Sequence, residues 1–331
     1  MRSTFFEGLI YLDLLEIYGS SRLVGELCFL SQSNVYRAAM SLSAGLDLDF
    51  GKHLGCYTSR RNSDVLSRLR AAARLLRARG IQPLRFLGDY RSMVLREPRL
   101  EGLWFLPQTW LGPRKSLQAL DAGVLDLLVM RSNELTALLA LQGGPLAVGQ
   151  WTYTPTYALL PLNTESVQLY VNQDHPLARV AAPTSHRISQ YASPAYPDDL
   201  FPGLHVRLKP HGLCTKRITS RSMAPGLWEE MAIQASMVVA STPNAVSAVT
   251  EHSPGILIAL DYNTGLLDHD LLVVPIDLLD EPSIQSALQS IAACYRLQLP
   301  ERRNVAGVSH ALLHSMASPQ PRPPIVPNIQ L

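Results

Sequence analysis

Apolar and polar positions repeat with two different periods along this chain, and the change falls at Pro83. Before it the period is helical. Residues 4–18 are rich in Phe, Leu and Ile, with Asp13 and Glu16 interspersed, and predict a helix. Gly19-Ser20-Ser21 signals a stop and a restart, with a serine able to cap a second helix running to about Leu30. Ser31 is placed to cap a third helix through about Leu42, in which Val35, Ala38, Ala39 and Leu42 recur as a buried stripe. Gln32, Ser33, Tyr36 and Arg37 fall on its other side. Helix, tight turn and helix with a polar, partly basic outer face meet the needs of a helix-turn-helix.

Residues 46–62 hold Gly51, Lys52, His53, Gly55, Tyr57, Arg60 and Arg61 and read as a basic loop or a two-stranded wing. A long helix then runs from about Asn62 to Arg79. Val65, Leu66, Leu69, Ala72, Ala73 and Leu76 form an apolar seam on it, and Arg70, Arg74 and Arg77 are expected on an exposed face. Such a seam suggests dimerisation, or else packing on the helix's own domain.

Beyond Pro83 short apolar runs take over. Strands are predicted at 84–87, 102–106, 125–129, 167–171, 237–240, 256–260 and 271–276, with a further one at 291–297. Helical stretches between the early ones, notably Arg114 to Ala122, argue for a parallel sheet. A helix fits 304–317, and the proline-rich tail from Ser318 is expected to be disordered. The fold class read from these periods is α/β overall, a helix-turn-helix head and a long helix followed by an α/β body.

Composition narrows the classes. The 331 residues carry a net charge of +2 and 47% hydrophobic residues, which excludes a uniformly basic protein and disorder over most of the length. The charge is unevenly placed: residues 1–88 hold 12 Lys and Arg against 7 Asp and Glu, whereas the remainder is net −3. A basic head on a mildly acidic body suits an anion-binding module, although an imbalance of this size also arises by ordinary fluctuation. No apolar run approaches the roughly 18 residues of a membrane span, so no membrane role is expected. No signal peptide is read, and the four cysteines form no CxxC pair, so a cytoplasmic chain with reduced thiols is expected.

These segments resemble the LysR-type bacterial transcriptional regulators over nearly the whole chain, to about Met316. Gly19-Ser20, Glu26, Leu30, Ser31-Gln32-Ser33, Val35, Arg37 and Leu42 match that family's helix-turn-helix pattern. Leu120 to Leu127 matches its Leu-x-x-Gly-x-Leu-Asp-Leu segment, and Asp174-His175-Pro176-Leu177-Ala178 its His-Pro-Leu-Ala segment. Departures mark a divergent member: Val24-Gly25 stands for Ala-Ala, Tyr36 for a frequent serine, Leu42-Ser43 for Leu-Glu, and Phe50-Gly51-Lys52-His53 for the wing's Leu-Phe-x-Arg. Ser253-Pro254-Gly255 replaces a Gly-x-Gly, and the first lobe looks shortened between Leu87 and Gly102. The resemblance implies a homodimer or homotetramer on double-stranded promoter DNA, controlled by a small-molecule effector. It implies residues 1–60 as the DNA-binding domain, an all-α winged helix-turn-helix, 61–82 as a linker and dimer helix, and 84–300 as the sensor, a two-lobed α/β body resembling periplasmic binding proteins. A C-terminal helix at 301–317 and the tail at 318–331 complete the division.

The residues for DNA contact are Gln32, Ser33, Asn34, Tyr36 and Arg37 on the third helix, with Lys52, His53, Arg60 and Arg61 gripping phosphate or the minor groove. The competing reading of the first group is a solvated helix face. By the rule that open sheets bind ligands at strand ends, effector contacts are assigned to Gln108, Thr109, Arg131, Ser132, Ser241, Thr242 and Asn244. Thr242 and Asn244 sit where helix N-terminal amides hold a carboxylate, or where they simply cap the helix. Gly123, Asp126 and His175 read as structural. Asp268-His269-Asp270 has metal-ligand types, but a strand throws alternate residues to opposite faces, so no metal and no cofactor are expected. Gly143-Gly144 with Gly149 makes no phosphate loop, and no Gly-x-Ser-x-Gly elbow is present. Two other classes stay open: a cytosolic solute-binding protein without specific DNA binding, and an enzyme using Asp268, His269 and Asp270.

Overall fold

A computed structural model of the chain describes residues 4–53, 56–88, 100–106, 113–139, 146–148, 151–153, 156–194, 202–213, 227–235, 237–250 and 255–297. The helix expected at 304–317, the tail from Ser318 and residues 89–99 of the expected shortening lie outside them.

The head begins with α1 (Thr4–Tyr18), α2 (Ser21–Cys28) and α3 (Gln32–Gly45). Both expected serine caps form. The Ser20 side chain accepts from the Leu23 amide at 3.3 Å and the Ser31 side chain from the Asn34 amide at 3.2 Å. Gly25 is needed where α2 passes the turn, since a Cβ there would lie 2.7 Å from the Leu30 carbonyl oxygen. The wing is an antiparallel hairpin of β1 (Phe50–His53) and β2 (Cys56–Ser59).

In α1, Leu9, Leu12, Leu14 and Leu15 are all buried, so the helix is apolar around its whole circumference. It packs on α2 and α3, and it shares one continuous core with Leu87, Leu106, Leu117 and Leu120 of the body. The head is therefore seated on the body by buried apolar surface.

The connecting helix α4 (Ser63–Ala78) corrects one expectation. Arg70, Arg74 and Arg77 do not face solvent; all three are buried. Arg70 Nε donates to Asp13 Oδ1 at 2.7 Å and its Nη2 to Glu16 Oε2 at 2.7 Å, both acids on α1. Arg77 Nε donates to Asp126 Oδ2 at 2.7 Å, and its Nη2 donates to Asp126 Oδ1 at 3.0 Å and to the Gly123 carbonyl at 2.8 Å. A fourth arginine joins them from the body, Arg85, whose Nη1 donates to Asp13 Oδ2 at 2.6 Å. Burial drives the Glu16 carboxyl up against the opposing pull of Arg70, and it drives the Arg74 and Arg85 guanidinium groups down. Part of the seam packs within the chain, with Leu66 and Ala73 in the core shared with the head and Leu69 against it, while Ala72 is exposed.

The first lobe is a seven-stranded sheet in the order β4-β3-β5-β12-β8-β7-β6. It contains β3 (Leu84–Leu87), β4 (Leu103–Leu106), β5 (Leu127–Arg131), β6 (Leu146–Val148), β7 (Trp151–Tyr153), β8 (Tyr157–Ser166) and β12 (Leu267–Pro275). The expected parallel sheet is only partly present. β3 pairs parallel with β4 and β5, whereas every pairing from β5 onward to β6 is antiparallel. Here β12 returns from the second lobe and enters against the direction of β5. Helices α5 (Pro113–Asp121) and α6 (Ser132–Leu139) flank β5.

The second lobe is built on a three-stranded antiparallel sheet, β10-β9-β11, of β9 (Gln168–Asn172), β10 (Val239–Ser241) and β11 (Leu257–Ala259). Around it lie α7 (Ser185–Ile188), α8 (Pro202–Leu208), α9 (Leu227–Ala235) and α10 (Pro243–Thr250). The chain crosses between lobes at Ser166–Gln168 and returns at 260–266. The strand expected at 291–297 is instead the end of α11 (Pro282–Cys294). Its buried positions Ile284, Ala287, Leu288, Ile291 and Ala292 follow the helical period, which a window restricted to the last apolar run does not show.

Candidate nucleic-acid interface

The outer face of α3 is an open polar surface. Gln32, Ser33, Asn34, Tyr36 and Arg37 are all exposed, while Val35, Ala39 and Leu42 anchor the helix from behind. Among the described residues, the Gln32 and Arg37 side chains engage no hydrogen bond or ion pair. Ser33 shares a hydroxyl contact of 3.1 Å with the cap Ser31. A groove of about 620 Å³ runs along α3 past Asn34, Arg37, Ser41 and Gly45. Five polar or aromatic side chains at the start of one anchored helix are what base-edge and phosphate contacts require.

The wing residues are less alike than the sequence suggests. Lys52 is exposed; its Nζ donates to the Gly19 carbonyl at 3.4 Å and stands 5.9 Å from the centroid of the Tyr57 ring. Tyr57 stacks on Phe50 with centroids 5.6 Å apart, and burial followed by the nearness of Tyr36 pushes its phenol up. The wing thus adjoins the start of α3. His53 is half-buried, with its Nε2 buried and without a hydrogen-bond partner. Arg60 is exposed, whereas Arg61 is tied to Asp47 at 3.2 Å. Sequence reasoning missed Phe29, which is 95% exposed in the turn between α2 and α3 and has a left-handed backbone with φ 54°.

The effector residues split into two groups. Arg131, at the end of β5, is buried with its Nε 3.2 Å from Asp270 Oδ1 and its Nη1 3.8 Å from Glu165 Oε2. Ser132 Oγ donates to Asp268 Oδ1 at 3.3 Å and accepts from the His269 amide at 3.0 Å. Asp268 and Asp270 therefore share one face of β12 and serve the start of α6 and Arg131, while His269 turns outward to Thr164 at 2.7 Å. In the second lobe, Ser241 Oγ donates to Glu229 Oε1 at 2.5 Å. Thr242, before the first turn of α10, is buried with no partner for its Oγ1, and Asn244 is half-buried. Gln108 and Thr109 lie outside the described residues, as do Gly143, Gly144 and Gly149.

The residues read as structural have structural partners. Asp126 Oδ2 accepts from the Arg85 amide at 2.8 Å, and Gly123 has φ +72° in the turn before it. His175 caps a short 3-10 turn, its Nδ1 accepting from the Leu177 amide at 3.1 Å. No helix among the described residues is long and apolar enough to cross a membrane.

No family model matches the chain, and no curated protein matches it. Solved structures do. Full-length OxyR of Pseudomonas aeruginosa, as a single-residue variant, is 15% identical over 90% of this chain and 99% of its own, with a TM-score of 0.50. Full-length CbnR in complex with its target DNA is 13% identical over 87% and 99%, with a TM-score of 0.47. OxyR of Corynebacterium glutamicum is 16% identical over 97% and 96%, with a TM-score of 0.43. The chain therefore has the fold of full-length OxyR, a winged helix-turn-helix joined by a helix to a two-lobed α/β body, along nearly all of that protein's length.

Proposed function

We propose that this chain is a DNA-binding transcriptional regulator of LysR type, a cytoplasmic protein that reads promoter DNA through α3 and is modulated by a small molecule in its two-lobed body. The observation that carries the reading is the start of α3: Gln32, Asn34, Tyr36 and Arg37 stand exposed on a capped, core-anchored helix with the wing beside it. Gln32 suits adenine, Arg37 guanine or phosphate, and Tyr36 a thymine methyl or sugar. Lys52 and Arg60 supply phosphate contacts, with His53 and Arg61 closer to the protein surface. Residues 1–60 form the DNA-binding unit, 61–82 the linker and 84–300 the sensor, in a homodimer or homotetramer. The reading assigns the chain no catalytic step.

The effector seat is placed at the start of α10, where the Thr242 hydroxyl is a buried polar group without a partner. Asn244 adjoins it. Arg131 and Ser132 contribute less directly, because Asp270, Glu165 and Asp268 already hold them.

Selection of a random double-stranded DNA library on the full chain tests the proposal. Enrichment of a sequence with two-fold symmetry, bound less tightly as salt rises, is the expected result. Weak binding of every duplex alike, together with tight binding of a small molecule, would instead support a solute-binding protein.

A further inference from the structure

The first lobe meets the second where α6 packs on α8, and Glu134 lies at that contact. Glu134 stands in the first turn of α6, where an acid ordinarily complements its own helix. Here it is buried and turned outward. Its Oε1 accepts from the Leu204 amide at 2.8 Å and its Oε2 from the Gly203 amide at 3.0 Å. Those amides open α8, and the first N–H groups of a helix have no acceptor within it. Charge-assisted bonds of this kind are about twice as strong as neutral ones.

The two helices belong to different lobes. Leu135 on α6 lies in the core that includes the first lobe, whereas Leu204 and Leu208 on α8 lie in the core of the second. Contact is made at the level of the backbone. A Cβ on Gly203 would fall 1.9 Å from the Asn133 carbonyl oxygen, so only glycine permits the approach. The start of α6 is fixed in turn on β12: Asn133 Nδ2 donates to the Leu267 carbonyl at 3.3 Å and the Asn133 amide to Asp268 Oδ1 at 3.4 Å.

We propose that Glu134 is a built-in clasp that holds the two lobes together without any small molecule. The ligand-free protein rests with its lobes closed, and an effector acts by opening the clasp rather than by completing closure. The direction of that response rests on the regulator reading; the clasp itself does not. A ligand that binds the open state better than the closed one shifts the population by its difference in affinity.

The test is a distance measurement by pulsed electron paramagnetic resonance on the full chain without DNA. Spin labels are placed at position 114 on α5 and position 187 on α7, both exposed, with the native cysteines replaced. Wild type is expected to give one narrow distribution. Glu134→Ala and Gly203→Ala, which attack the contact from opposite sides, should each lengthen and broaden it. Sodium acetate should restore the short distance in Glu134→Ala, by supplying the missing carboxylate, and not in Gly203→Ala. Glu134→Gln keeps the shape and loses the charge, and should fall between wild type and Glu134→Ala. Wild-type distances in the variants would overturn the clasp, and a lengthened distance that acetate leaves unchanged would overturn the carboxylate's part in it. A chain that passes this test yet selects no DNA sequence would end the regulator reading and leave the clasp standing.

Discussion

Two sets of arginines lie within the first 88 residues, and their fates are opposite. Arg37 on α3 and Arg60 after the wing stand in solvent. Arg70, Arg74, Arg77 and Arg85 are buried where the head, the connecting helix and the body meet, around Asp13, Glu16 and Asp126. In the sequence both sets count toward the excess of basic residues before Gly88. What separates them is the position of the acids, and Asp126 lies 49 residues from Arg77 along the chain. The unpaired set keeps its charge available for a phosphate. The buried set, four arginines around three acids, helps to seat the head on the body.

The strongest way to break this contrast is to remove a buried cation. Arg77→Ala leaves Asp126 without its bidentate partner and is expected to cost roughly 3–5 kcal/mol in urea denaturation. Arg37→Ala should change stability by no more than about 0.5 kcal/mol. It should weaken binding to a selected duplex by about 1–3 kcal/mol, roughly 5- to 150-fold.

Alkaline pH sharpens the same contrast from the side of the fold. Burial raises the Tyr18 phenol, raises that of Tyr157 with help from its hydrogen bond to Asp121, and pushes that of Tyr170 up to about 12. These folded values exceed the unfolded value of about 10, so the folded state holds its protons longer. The stability this contributes is complete below about pH 10 and is lost as pH rises through the folded values. Urea midpoints should therefore fall from about pH 10 upward, and Tyr157→Phe should flatten that fall.

The smallest expected effect lies at Phe29. Its left-handed backbone favours glycine, and its ring is too exposed to contribute packing. Phe29→Gly should raise stability by about 0.5–1 kcal/mol, measured as a shift in the urea midpoint.

Most of the head was legible because its signals are local. Ser20 and Ser31 cap the helices they precede, and Val35, Ala39 and Leu42 bury as their spacing requires. α1 was legible as a helix, whereas the partners of Asp13 were not, because Arg70 and Arg85 reach it from 57 and 72 residues away. The body was harder to read. Its strands β6, β7 and β8 went unread, and β8 carries Pro161 within it. In the structure Pro161 sits beyond the pairing with β7 and next to the register shift against β12, where a missing N–H matters least. The antiparallel return of β12 is a long-range pairing with no local signature. At the candidate site the exposed residues of α3 were legible from periodicity, whereas the ties of Arg61, Arg131, Ser132 and Ser241 depend on acids brought in by folding. Glu134 carried no signal at all, since its partners are two backbone amides 69 and 70 residues away.

The most direct test compares wild type and Arg37→Ala on one selected duplex across a series of salt concentrations, with the urea midpoint of each protein measured alongside. The account predicts a large loss of affinity in Arg37→Ala, a binding constant that falls steeply with salt in wild type, and matching midpoints. Equal affinity of the two proteins for the selected duplex at matching midpoints would contradict the assignment of α3 as the DNA-reading helix.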